Sequence, residues 1–138
     1  MLIVNLTRMK YFVCVLFLFP AIIYSQPNGT SSIKISGIGL QQVIRGFLDA
    51  GYPIERSGQN LKTIVSGPKK SPSNNITTVL TVNINGRDIV ISGEYSTEEH
   101  KYTIVKVTGE KTGPAWDSWK EMFDFAGSFK KPVEFIVK

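Results

Sequence analysis

Cysteine and histidine are almost missing from this chain: among its 138 residues there is one of each, Cys14 and His100. Cys14 lies inside the apolar run 11–24, "YFVCVLFLFPAIIY", so the rest of the sequence has no disulfide framework and no thiolate metal site. A lone histidine makes any zinc site or Ser-His relay depend on His100. Its acidic neighbours in "EEH" (98–100) would point to opposite faces of a strand, so that tripeptide reads as a solvated turn. A G-x-S-x-G elbow is also missing. "SGIGLQQ" (36–42) has Gly37 and Gly39 but places Gln42 where a dinucleotide loop needs its third glycine, and reads as a strand-to-helix turn. These absences point away from an enzyme. No catalytic or metal residue is assigned, and no cofactor is expected. A carboxylate-only hydrolase is the remaining catalytic alternative.

A concentrated charge of one sign is missing too. The formal net charge is +5, and setting aside Arg8 and Lys10 leaves 14 basic residues against 11 acidic ones, interspersed along the chain. Nucleic-acid binders carry a basic stripe, and this chain has none, so that partner is set aside. The apolar run 11–24 falls short of the roughly 20 residues a membrane span needs, and it follows Arg8 and Lys10. That is the layout of a signal peptide, expected to span 1–25 with cleavage after Ser25. An uncleaved anchor is the alternative, and Met9 offers a second start. The expected product is exported, periplasmic or extracellular, and touches a membrane only through this segment. Residues 26–32, "QPNGTSS", read as a flexible tether to a single domain over 33–138.

Within the domain, "IKIS" (33–36) alternates as a short edge strand would. Leu40, Val43, Ile44, Phe47 and Leu48 form one apolar helical stripe. Gly51 stands where a left-handed cap belongs, and Pro53 stops the helix. Gly46 inside that helix implies close approach of another part of the chain. "PIERSGQNLKTIVSG" reads as a weak hairpin, and "PKKSPSNN" (68–75) as a loop. In "ITTVLTVNINGRDIVISGEYS", Asn85 and Gly86 between alternating runs predict a two-residue hairpin turn, with Val82 opposite Ile89 and Leu80 opposite Ile91. One face of that hairpin is apolar, while Thr77, Thr81, Asn83 and Asp88 point the other way. "KYTIVKVTG" (101–109) and "PVEFIVK" (132–138) read as further strands. Between them Pro114 opens a helix whose stripe is Trp116, Trp119, Phe123 and Ala126.

The fold class expected is α+β: an antiparallel sheet of four or five strands with two helices packed on one face. "LQQVIRGFLDAGYPI" and "AWDSWKEMFDFAGSF", with the hairpin between them, resemble the TATA-binding-protein-like fold. More particularly, the chain resembles small exported Bacteroidetes proteins of unknown function. The resemblance implies a fold and an exported location and carries no active site.

Candidate contact residues are therefore surface groups. Lys69 and Lys70 form a basic loop that could meet an anionic glycan or lipid head group, or be solvated charge. Thr81 and Asn83 mark an uncovered polar sheet face. Trp116 is the tryptophan expected to be partly exposed, whereas Trp119 is expected to roof the sheet. Asn28 and Asn75 begin glycosylation acceptor patterns. The leading expectation is a non-catalytic exported module, monomeric, binding an envelope protein or glycan through that face or the loops "PKKSPSNN" and "STEEH". A structural subunit of a surface assembly, pairing through edge strands, is the alternative.

Overall fold

The hairpin organises the molecule. In the computed structural model, which describes residues 27–58, 61–72, 75–107, 109 and 111–138, β5 (Thr77–Asn85) and β6 (Asp88–Ser96) pair antiparallel over nine residues each. The expected signal peptide, 1–25, lies outside the described residues. The remaining elements in chain order are β1 (Thr30–Ser36), α1 (Leu40–Asp49), β2 (Ile54–Ser57), β3 (Thr63–Ser66), β4 (Lys69–Lys70), β7 (Lys101–Thr103), α2 (Pro114–Gly127) and β8 (Val133–Val137). The fold is α+β with two helices and one open antiparallel sheet, in the order β2-β3-β5-β6-β1-β8. β4 continues beside β5, and β7 beside β6, giving eight strands among the described residues. The expectation of four or five was too low because the weak hairpin, β2 and β3, joins the same sheet and β4 adds a two-residue strand in a stretch that reads as a loop.

The loop of the hairpin differs from the sequence expectation. Asn85 pairs with Asp88, so Gly86 and Arg87 form the turn and only Gly86 has positive φ (+64°). A type II′ turn demands positive φ at its first central residue alone, which Gly86 supplies. The register therefore moves by two residues: Val82 faces Ile91 and Leu80 faces Gly93. An even shift preserves the side of every residue, so Leu80, Val82, Ile89 and Ile91 still share the buried face. Gly93 is tied to this register. A Cβ there would lie 2.8 Å from both Ile104 Cδ1 and Leu80 Cδ2.

Strand β1 is the larger correction. It begins at Thr30, so residues 30–32 are buried strand and not tether. It also pairs with β6 on one side and β8 on the other, so it is an inner strand and not an edge. Gly29 N–H donates to Lys106 O at 2.8 Å and Lys106 N–H to Thr30 O at 2.9 Å, fastening its start. In turn "KYTIVKVTG" keeps only Lys101–Thr103 as strand.

The helices close one face. α1 ends in a Schellman motif: Tyr52 N–H donates to Phe47 O, Gly51 N–H donates to Leu48 O, and Gly51 takes φ +79°. Val43 and Phe47 are buried. Leu48, about 100° further round the helix, is 62% exposed, so the apolar stripe is wider than the contact it makes. Gly46 does receive a close neighbour, since a Cβ there would sit 2.9 Å from Phe129 Cζ. On α2 the buried line is Ser118, Trp119, Met122, Phe125 and Ala126, with Trp116 and Phe123 half-buried on its flank. Phe47 and Phe125 stack at 4.8 Å between centroids and join the two helices.

Candidate functional site

Among the described residues, nothing covers the face opposite the helices, and register assigns its residues. Side chains alternate along a strand. Directly opposed residues share a face, so the pairings can be followed across the sheet. One row runs Thr63, Asn83, Val90, Lys34 and Glu134, crossing β3, β5, β6, β1 and β8. The adjacent row begins Val65, Thr81, Ser92. It continues through Ser32, one residue beyond the Ile33–Ile91 pair, to Ile136. At about 4.8 Å between strands, each row extends roughly 19 Å.

A bulge deepens the second row. Between Thr30 and Ser32, β1 carries one residue more than β8, and that residue is Ser31. The extra residue bends the sheet locally. A shallow trough of about 330 Å³ results, lined by Ser31, Ser32, Thr81, Ser92 and Thr103, with Val65 and Val79 as apolar patches and Glu94 and Lys138 as charges. Ser31 Oγ is buried and has no hydrogen-bond partner among the described residues. The flanking row is pre-arranged by its own contacts. Thr63 Oγ1 donates to Asn83 Oδ1 at 2.8 Å, which fixes the side of the asparagine amide that accepts. Lys34 Nζ stands 3.7 Å from Asp88, and Lys101 Nζ 3.8 Å from Glu94. Such half-exposed pairs contribute little stability, but they hold charged side chains along the rim. The surface offers donors and acceptors in a fixed lattice interrupted by Val65, Val79, Val90 and Ile136.

The sequence-derived candidates separate onto different surfaces. Thr81 and Asn83 are on the open face, one in each row. Lys70 pairs with Thr77 in β4 and is exposed on the same side. Lys69 pairs with Thr78 and is committed elsewhere. Its Nζ donates to Ala50 O at 2.9 Å and lies 4.7 Å above the Tyr52 ring. Ala50 ends α1, so this ammonium meets the negative end of the helix dipole. That makes Lys69 a cap on the end of α1. The pair also belongs to a strand and not to a loop, because β4 completes the edge of β5 where β3 leaves it. Trp116 lies on the helical layer, beneath Lys106 Nζ at 5.0 Å, away from the trough.

Sequence reasoning missed Ser31, Ser32 and Ser92. Ser32 falls in alternation with Lys34 and could have been found by extending β1 backwards. Ser92 falls on the open face by alternation with Ile91, but only the true register places it opposite Thr81.

Elsewhere, the Tyr52 hydroxyl lies 3.5 Å from Glu121 Oε2. Burial, followed by the charge of Glu121 and the bond to it, pushes that phenol well above its ordinary value. The cluster joins α1, β4 and α2 inside the helical layer. Among the described residues, no three His, Cys, Asp or Glu side chains gather as a metal group, and no helix is long and apolar enough to cross a membrane. No model of a known protein family matches the sequence, and no curated protein matches it, so the functional reading rests on the geometry of these residues.

Proposed function

We propose that this chain is an exported, non-catalytic binding module of the periplasm or cell envelope, and that its contact surface is the open sheet face. One observation carries the reading: two adjacent rows, seven of whose ten side chains are polar, run in register across five strands and frame the trough at Ser31, Ser32, Thr81 and Ser92. Hydroxyl and amide groups both donate and accept, so such a lattice suits a protein backbone or a glycan more than an apolar ligand. The sequence layout of a signal peptide before the domain supports the exported location, and the resemblance to small exported proteins agrees with it.

The test is capture from native cell-envelope extract, with crosslinking to retain weak complexes, using the wild-type chain and two variants. Thr81→Ala/Asn83→Ala and Thr81→Ala/Ser92→Ala remove exposed or half-exposed groups from the face. Both should bind the captured partner at least tenfold more weakly while unfolding within about 1 kcal/mol of wild type, as surface changes do. Equal capture by all three proteins would remove this face as the contact surface.

A further inference from the structure

We propose that a second copy of this chain pairs antiparallel along β8, about a two-fold axis through Ile136. β8 ends the sheet on its side, and its outer edge has no strand beside it among the described residues. It is also the regular edge. At the opposite end, β2 is four residues long and carries a register shift between Ile54 and Arg56; a proline precedes both strands, Pro53 at β2 and Pro132 at β8. A bulge blunts an edge against pairing, and β8 carries none within Val133–Val137. The irregularity in the β1–β8 ladder belongs to β1.

The occupant follows from the strand's own sequence. A two-fold normal to the sheet keeps both open faces on one side, so opposed residues must share parity and the axis must pass through a residue. Centred on Phe135, such pairing puts Glu134 opposite Ile136. Centred on Ile136, it puts Glu134 opposite Lys138 of the second copy, twice by symmetry. It also sets Phe135 against Val137 twice, and Ile136 against itself. Every pair then matches in character: opposite charge with opposite charge, apolar with apolar. Cross-strand pairs of both kinds stabilise a sheet. Apolar surface accompanies the edge on the helical side. Val137 is 51% exposed, and half-buried Phe135 stacks on half-buried Phe123 at 6.2 Å.

The pairing closes on itself. Each chain's other edge is blunted, so the product is a dimer and not a fibre. It also carries the trough row through the axis, because Ile136 ends that row in each copy. Two rows of about 19 Å thereby join into one line crossing both sheets. The dimer itself stands whether or not the open face binds a partner.

Five residue pairs and a small apolar flank lie at the low end of interface sizes, below about 1,200 Å² in total, so association should be weak, on the order of tens of micromolar. The experiment is sedimentation of protein purified from expression of the full chain, over about 1 µM to 1 mM, with backbone hydrogen exchange at both extremes. The expected result is a reversible monomer–dimer equilibrium, with exchange at 134–138 slowed only at high concentration. Ile136→Lys sets two ammonium groups face to face at the axis and should leave a folded monomer throughout. Lys138→Glu sets two carboxylates against each other at both ends and should weaken the dimer about tenfold. A strict monomer at 1 mM overturns the proposal. A dimer indifferent to both substitutions, or one protecting a different segment, also overturns it.

Discussion

Replacing Ser66 by alanine removes one oxygen atom, and the local pairing sets what that oxygen is worth. β3 pairs with β5 through Val65 and Thr81, and β4 resumes at Lys69 and Thr78, so the ladder along that edge of β5 is interrupted between them. In the gap, Leu80 N–H donates to Ser66 Oγ at 2.9 Å, and both residues are fully buried. Without the hydroxyl, the amide has neither a protein partner nor access to water. An orphaned buried donor costs about 1–3 kcal/mol. For a domain of this size that is roughly 4–12 °C in Tm. Ser118 provides the control, since it is equally buried but its Oγ donates at 2.9 Å to Ala115 O, a helix carbonyl that keeps its backbone partner. Ser118→Ala also gains helix propensity, so it should change stability by less than about 0.5 kcal/mol. Denaturant unfolding of the three proteins measures the difference, and hydrogen exchange at Leu80 locates it. Equal costs for the two serines would refute the reasoning, since burial and not hydrogen bonding would then set the loss.

Two other expectations are open to direct measurement. Trp119 is 2% exposed and Trp116 half-buried at the flank of α2. Acrylamide should therefore quench a minor, accessible component that Trp116→Phe removes, and a Trp119→Phe protein should quench more completely than wild type. Tyr52 predicts an alkaline limit. Its folded phenol is raised by burial, then by Glu121, while the unfolded one ionises near 10. This stabilising contribution is complete below pH 10 and is lost as pH rises towards the folded value, because the unfolded chain releases the proton first. Tyr52→Phe should flatten stability between about pH 9 and 11, read from denaturant midpoints, and an unchanged slope would contradict the assignment.

How much could be read without the fold depends on the range of each signal. Gly51 and Pro53 end α1, Pro114 opens α2, Gly86 turns the hairpin, and the alternation from Thr77 to Ser92 sets which face each residue takes. These are local preferences of φ, capping and period, legible within a dozen residues. They were enough for the α+β class, for the burial of Trp119 and for placing Thr81 and Asn83 outside. The same signals left the hairpin register two residues away. Parity survives an even shift, but the partner of Thr81 does not.

What tertiary structure decided is long-range. β1 was legible as a strand, yet only its pairing with Ile89 and Ile91, more than fifty residues away, makes it an inner strand and buries Ser31 and Ser32. Lys69 resembled a free surface charge until β4 aligned its side chain with the end of α1. Leu48 shares the apolar stripe of α1, but the way that helix lies on the sheet leaves it to solvent. In each case the residue's chemistry was given by the chain, and its role by which distant element came to lie against it. Loop closure and packing settle that question over the whole domain, beyond the reach of any local pattern.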